Sequence, residues 1–460
     1  MTRCKPGRSL PMGLLAAMLA LAGQATAEPR DLMDIYTLAI ERDPRLEAAQ
    51  HRLRATDEVE TQARALFLPQ IDLEADSGYI WENSQIGSNP RNSADYDYWD
   101  AGIALTQPLF RMESFSLARQ ADIFTTQAAL EFAQAQQDLM LRTSQAYFDV
   151  LLAQDQLSTV DGELLAIESE LRRARRALEV GTGTITDVNE AQARFDRVQA
   201  DRLRAENNLT VARETLHRLI GEPAGQLIGL EEEFTAQPPM PTERRAWAER
   251  AERYNITVRL TEQNLASARE DVNQEQAGRY PRVDLVARYG RSYQSDIGIG
   301  QPGLNGDIER EQTTVGVRVT MPLYTGGATT SRIRERQAQR DAVFSDTLDA
   351  KRNAALQAES AYLNLTSNLQ QIRALEQALR SVLSTERSTQ RGLEVGLRTT
   401  LDVLDVQRER FEIERQLAEA RYAYLLNYLQ LQVAVGGGVD DTSIEDVNFF
   451  LTRMPDGDSE

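Results

Sequence analysis

Residues 178–191 read LEVGTGTITDVNEA, and residues 393–406 read LEVGLRTTLDVLDV. Leu-Glu-Val-Gly, a short polar link and Asp-Val thus recur 215 residues apart. Other echoes flank this pair. FLPQIDL (67–73) returns as RYPRVDL (279–285), and LTQPLF (105–110) returns as VTMPLY (319–324). Three echoes in one order at nearly one offset define two copies of a single unit, with a period too long for a solenoid.

Both copies share an inner layout. An amphipathic helical stretch opens each, over about 31–67 and 242–278, and Pro69 and Pro281 close it. Alternating segments follow. Ile71, Leu73, Ala75, Tyr79 and Trp81 alternate with polar residues, and their partner segment carries Trp99, Ala101, Ile103 and Leu105 in one phase. In the second copy Val283, Leu285, Ala287 and Tyr289 pair with Val315, Val317, Val319 and Met321. Period two predicts strands of about ten residues with one apolar and one polar face. Pro108 and Pro322 are expected to end the second strand of each pair. Polar loops are predicted near 83–95 and 294–310. The latter holds GIGQPG, which lacks the strand-to-helix context of a dinucleotide site.

Residues 111–179 and 328–395 then run without a proline, interrupted only by Gly162 and Gly392. Each predicts a helix ~100 Å long. Glycine-containing turns at 181–185 and 396–400 lead into return helices of about 35 residues. Val188, Phe195, Val198, Leu209 and Leu216, and Val406, Ile413, Leu417, Tyr424 and Leu431, form narrow packing seams along them.

The chain has 460 residues, with 51 basic against 70 acidic and a formal charge of −19, which disfavours nucleic acid as a partner. Arg3, Lys5 and Arg8, the apolar run GLLAAMLALA (13–22) and Ala25-Thr26-Ala27 read as an export signal over 1–27. Ten apolar residues are too few to span a bilayer, which takes about 20. The one cysteine, Cys4, falls inside that leader, and Gln24 stands where a lipidated cysteine would. His51 and His217 are the only histidines, each without a neighbouring ligand, so neither a metal site nor a Ser-His-Asp centre is expected. No cofactor is implied, because no nucleotide loop is present.

Four strands cannot close a barrel, since single-chain membrane barrels begin at eight. An open sheet in lipid leaves backbone groups unpaired at several kcal/mol each. If the strands face lipid, several chains must pool them, and three would supply twelve. Tyr79, Trp81, Tyr96, Tyr98, Trp99, Tyr289 and Tyr293 cluster at the outer strand ends, as an interfacial girdle would. The alternative is a soluble sandwich on coiled coils with those aromatics in its core.

The order hairpin, long helix, Val-Gly turn, Asp-Val helix, written twice, resembles the TolC family of outer-membrane channel proteins. The likeness covers about 31–436. It rests on ITDVNEAQARFDRVQA (185–200), MPLYTGG (321–327), GLRTTLDVLDV (396–406) and AEARYAYLLNYLQLQVAVG (418–436). The resemblance implies an α+β membrane protein: a homotrimer with a twelve-stranded β-barrel continuous with a twelve-helix periplasmic tunnel. It implies an exit duct for efflux pumps or type I secretion, not an enzyme, held in outer-membrane lipid and reaching into the periplasm. Its implied partners are a periplasmic membrane-fusion adaptor and an inner-membrane RND or ABC transporter. The implied layout is a first repeat over 28–220, an equatorial connector over 221–241, a second repeat over 242–436, and an equatorial segment with an acidic disordered tail over 437–460.

The resemblance also assigns the two turns. They become the tunnel tips, with Val180, Gly181, Val395, Gly396 and Leu397 as adaptor-docking positions. Thr186 and Asp187, with Arg398, Asp402 and Asp405, match the family's gate, while Leu393 replaces its tyrosine and removes a hydroxyl. Arg398 with Asp187 is then the expected closing link. Charge placement gives the gate separate support. Asp402 and Asp405 share a helix face, and a trimer would gather six carboxylates, which raise one another's pKa and attract cations. A plainer reading stands beside it: acids in a first turn complement the helix dipole, and Asp187 with Glu190 forms a capping-box variant. The competing functions are a periplasmic coiled-coil adaptor and a secreted enzyme.

Overall fold

A computed structural model describes residues 29–85, 92–230, 234–298, 305–437 and 442–451. The leader over 1–27, most of the GIGQPG loop and the DGDSE terminus lie outside the described residues. The first half runs α1 (Leu32–Arg42), α2 (Pro44–Ala65), β1 (Gln70–Ser84), β2 (Asn92–Phe110), α3 (Met112–Glu179) and α4 (Ile185–Ile220). The second repeats it with α5 (Arg244–Tyr254), α6 (Ile256–Ala277), β3 (Arg282–Gly298), β4 (Asn305–Thr320), α7 (Ala328–Glu394) and α8 (Thr400–Ala434), and α9 (Thr442–Asn448) follows.

The opening helix of each copy is broken, where sequence periodicity implied one rod. Pro44 forbids an α conformation at Asp43, whose carboxylate instead accepts from the Arg45 and Leu46 amides at 2.9 and 2.8 Å. Asn255 makes the same break, accepting from the Thr257 amide at 2.9 Å. Asp43 is also buried against Arg142 of α3 at 3.0 Å. Burial pushes its carboxyl up, but the Arg142 hydrogen bond and the cap amides outweigh it and hold the group below its ordinary value.

The strands form one antiparallel sheet in the order β1-β2-β3-β4. They are 15, 19, 17 and 16 residues long, well beyond the ten expected. Only the apolar alternation is about ten residues long, and the pairing continues past it with Asp97, Arg291 and Glu311 on the same face. Pro108 does not end its strand. It lies inside β2 at a register shift between Pro108 and Phe110, where a missing N–H is tolerated. Pro322 does lie just past β4.

Register settles the faces. Leu73 stands opposite Ile103, Leu105 opposite Ala287, and Ala287 opposite Val315, so the apolar rows of all four strands share one side. The other side carries Asp72, Glu74, Asp76, Asp100, Arg288 and Arg318. There Arg288 reaches Asp100 on the adjacent strand at 2.6 Å and Glu74 two strands across at 3.2 Å. Gly102 permits this approach, because a Cβ on it would come within 3.0 Å of the Tyr289 carbonyl and 3.5 Å of the Arg288 Nε.

Beneath the sheet, α2 and α4 pack on α3, while α6 and α8 pack on α7. The halves join through α3, which touches α6 near the sheet and α8 farther down. Gln120 bonds Asp271 at 2.8 Å, and Asp155 accepts from Tyr422 at 2.7 Å. The main core gathers halfway along α3, around Tyr147, Phe148, Leu216, Ile220, Trp247, Leu425 and Leu429. The connector crosses this level. Leu227 bridges Arg30 and Leu230 bridges Leu451, and the Tyr147 and Tyr424 hydroxyls donate to the Ile228 and Gln237 carbonyls at 2.6 and 2.5 Å. A second, small cluster of Val160, Ile167, Leu171, Ala191, Val198 and Leu404 lies nearer the turns.

Candidate functional site

The two Leu-Glu-Val-Gly turns have one geometry. Gly181 and Gly396 adopt φ of 77° and 73°, a left-handed conformation that side chains resist. Their amides donate to the Leu178 and Leu393 carbonyls, each at 3.1 Å. Thr184 and Thr399 then cap α4 and α8. The Asp187 carboxylate accepts from the Thr184 amide at 2.9 Å, and the Asp402 carboxylate from the Thr399 amide at 2.8 Å. These are capping boxes, with Asp187 and Asp402 as equivalent third helical residues. The box in the first turn therefore uses Thr184 with Asp187, not Asp187 with Glu190.

The turns differ at several positions, and at one facing pair they exchange bulk. Ala177 faces Gly183 in the first, and Gly392 faces Arg398 in the second. A Cβ on Gly183 would come within 2.9 Å of the Ala177 Cβ, and one on Gly392 within 2.7 Å of the Arg398 Cγ. Only one member of each pair can carry bulk. Gly392 is thus the seat on which the Arg398 side chain lies.

Of the predicted gate residues, Thr186 and Arg398 are exposed and Asp187 is half-buried. Among the described residues no ion pair joins Arg398 to Asp187 within the chain, since Asp187 is occupied by its cap. Asp402 was expected to be raised by like charge. Within the chain its carboxyl is instead held below its ordinary value, first by the Thr399 amide, then by the Thr399 hydroxyl, with Arg398 nearby adding to the effect. Asp405 points elsewhere and pairs with Arg194 of α4 at 2.7 Å. That pair ties the α3/α4 hairpin to the α7/α8 hairpin near the turns. Arg415 to Glu163 at 3.4 Å repeats the tie between the hairpins farther from the tip, and Arg202 to Asp161 at 2.7 Å joins α4 to α3 within the first hairpin. Sequence reading missed Arg194, because it sits within a charged row with no local sign of its partner 211 residues away. Val180, Val395 and Leu397 are fully presented to the surroundings, with Leu397 81% exposed.

On the sheet the apolar face is uncovered: Leu73 is 77% and Val317 61% exposed. Tyr79 and Trp81 meet edge to face at 4.8 Å, and Trp99 stacks on Tyr293 at 6.4 Å, all at the outer end of that face. Tyr289 lies in the same row set, opposite Ile103. Tyr96 departs from the expected girdle. Its partner is Ile80, which places it on the opposite, polar side together with Tyr98. Tyr98 lies over Gly78 there, with its Cε1 2.8 Å from where a Cβ would stand. A second exposed apolar group was not anticipated: Leu323 and Tyr324, each 90% exposed, with Tyr280 and Leu68 at the helix end of the sheet. The cue was available in the MPLYTGG segment, but it was read only as a motif.

Residues 35–222 and 247–437 match the family described as outer membrane efflux protein, one segment for each repeat. The chain belongs to that family. It is 34% identical over 442 residues to outer membrane protein TolC of Vibrio cholerae, covering 96% of this chain and 98% of that one. It is 31% identical over 424 residues to outer membrane protein TolC of Escherichia coli, covering 91% and 85%. Alkaline protease secretion protein AprF of Pseudomonas aeruginosa is 29% identical over 456 residues, covering 97% and 93%. Among solved structures, the outer membrane protein VceC of Vibrio cholerae superposes with a TM-score of 0.74 over 89% of this chain and 97% of that one at 20% identity, which speaks to the fold alone.

This family member is an outer-membrane exit duct of efflux or type I secretion systems and not an enzyme. It resides in the outer membrane and extends through the periplasm. It works within tripartite export pumps. Among the described residues no helix is long and apolar enough to cross a membrane, and no group of side chains is arranged to hold a metal.

Proposed function

We propose that three copies close their sheets into one twelve-stranded barrel over a twelve-helix tunnel, and that solutes pass through passively. The observation that carries this reading is the sheet itself. Both outer strands, β1 and β4, have a free edge, and one face carries an apolar band of about ten residues that crosses all four strands. Unpaired edge groups in hydrocarbon cost several kcal/mol each, so closure with further copies is the stable state. Tyr79, Trp81, Trp99 and Tyr289 form the outer girdle, and Leu323, Tyr324 and Tyr280 lie at the level of the inner leaflet.

The tips are the gate. Three copies bring Asp402 and Asp405 together as a ring of carboxylates that draws cations to the mouth. Thr186, Asp187 and Arg398 stand beside it as contacts to the neighbouring copy. A periplasmic membrane-fusion adaptor docks on Val180, Gly181, Val395, Gly396 and Leu397. An inner-membrane RND or ABC transporter supplies the energy, because no nucleotide loop occurs in the sequence. The test is to extract the protein from outer membranes and add it to a planar bilayer. A heat-modifiable trimer that conducts ions is expected. A water-soluble monomer that leaves the bilayer silent would falsify the reading.

A further inference from the structure

The polar face of the sheet is segregated by charge. Its β1 edge carries Asp72, Glu74 and Asp76 at successive inward positions, while the inward positions of β4 include Arg310 and Arg318 and no acid between them. Glu74 is engaged by Arg288 within the chain. Asp72 and Asp76 are exposed and have no ion-pair partner among the described residues. Arg318 is likewise exposed and unpaired. The residue opposite it is Asp284, but that carboxylate is bound to Arg111 at 2.8 Å. One free edge therefore carries spare anions and the other a spare cation.

We propose that Arg318 of one copy pairs with the Asp72–Asp76 carboxylate row of the next, and that this contact fixes the register of the seam between chains. The proposal rests on the three-copy barrel and adds which residues join it. Side-chain alternation limits the choice of partner, because an inward residue on β4 can face only an inward residue on β1. The lipid rows limit it further. Val315, Val317 and Val319 must continue onto Ile71, Leu73 and Ala75 to keep the apolar band level. If Val319 meets Ile71, Arg318 faces Asp72. If it meets Leu73, Arg318 faces Glu74, and if it meets Ala75, Arg318 faces Asp76. Each of these three registers sets the cation against an acid, and in the next one down, with Val317 on Ile71, Arg318 faces Gln70 with Asp72 as its diagonal neighbour, within the reach of an arginine. A slip of one residue would turn Arg318 towards lipid.

Cysteine cross-linking tests the seam. In a Cys4→Ser background, Arg318→Cys is combined in turn with Asp72→Cys, Glu74→Cys and Asp76→Cys, and isolated outer membranes are oxidised. Directly opposed positions lie at Cβ distances of about 4.5–5.5 Å, near disulfide range. At least one combination should yield covalent dimers and trimers on a denaturing gel, while Arg318→Cys with Leu73→Cys, on opposite faces, should not. No cross-link from any of the three in a protein that remains trimeric overturns the seam but leaves the barrel standing. A wild-type protein that is monomeric in the membrane overturns both. Independently of cysteines, Arg318→Glu should lower the temperature at which the trimer dissociates by about 5 °C, and Arg318→Lys should retain most of the wild-type value. An unchanged dissociation temperature for Arg318→Glu also refutes the pairing.

Discussion

Removing the Arg194 side chain should loosen the closed tip. The Arg194–Asp405 pair spans 2.7 Å, with side chains 24% and 49% exposed. A pair so open to water is worth about 0.5 kcal/mol, within the ~0.2–1 kcal/mol measured for exposed ion pairs. One such pair would be hard to detect alone. In the proposed trimer the pair occurs three times, and if the proposed opening parts the two hairpins it breaks all three, about 1.5 kcal/mol or roughly tenfold in the open-to-closed ratio. Arg194→Ala should therefore raise open occupancy in planar-bilayer recordings about tenfold. Arg194→Ala with Asp405→Ala should raise it no further than either change alone, because both delete one interaction. The two single changes should separate in selectivity. Arg194→Ala leaves the carboxylates at the mouth and keeps cation preference, whereas Asp405→Ala removes three of them. Unchanged occupancy in Arg194→Ala, or a double variant showing the product of two independent effects, would refute the tie.

Asp402→Ala with Asp405→Ala should lower cation preference in reversal-potential measurements, and unchanged selectivity would rule out a ring at the conducting constriction. Glu170 is buried on α3, and burial pushes its carboxyl above the ordinary value despite Arg173. Between the unfolded and the folded pKa the folded form holds a proton that the unfolded form releases, so the contribution to stability is complete below the unfolded pKa and lost as pH rises through the folded one. Glu170→Gln should accordingly raise the unfolding midpoint at neutral pH, with the gain shrinking towards zero on acidification below the ordinary glutamate range; a gain independent of pH would assign the effect to packing. Val317→Arg, on the uncovered apolar face, should cost about 2–4 kcal/mol per chain if it reaches mid-bilayer. Loss of assembled protein from the outer-membrane fraction checks this, and normal assembly would show that the face does not meet lipid.

The sequence disclosed what is periodic and local. The long helices were legible because nothing breaks them, and α3 and α7 end within a residue or two of where the glycines forced an end. The lipid face was legible because period two cannot be mistaken over ten residues. Strand length was not, since β1 and β4 continue beyond the apolar rows on polar residues that look like loop. Broken helices were missed for a related reason: Asp43-Pro44 and Asn255 interrupt hydrophobic periodicity without shifting it, so only the cap reveals the break. The site divides in the same way. Gly181, Gly396 and the Thr-Asp caps are local and followed from the repeat, although the repeat alone could not say whether Asp187 and Asp402 cap a helix or guard a mouth. The geometry assigns them the first task within a chain. The tie from Asp405 to Arg194 is non-local, and no pattern in either helix announces it. Comparing the copies does expose one contact of this kind. Ala177 with Gly183 becomes Gly392 with Arg398, a change of size passed across a turn that has room for only one side chain. A duplicated chain thus carries its own two-member alignment, in which an exchange of bulk between its halves marks a side-chain contact. By that comparison Arg398, seated on the glycine that makes space for it, is one position where the two tips differ in both size and charge.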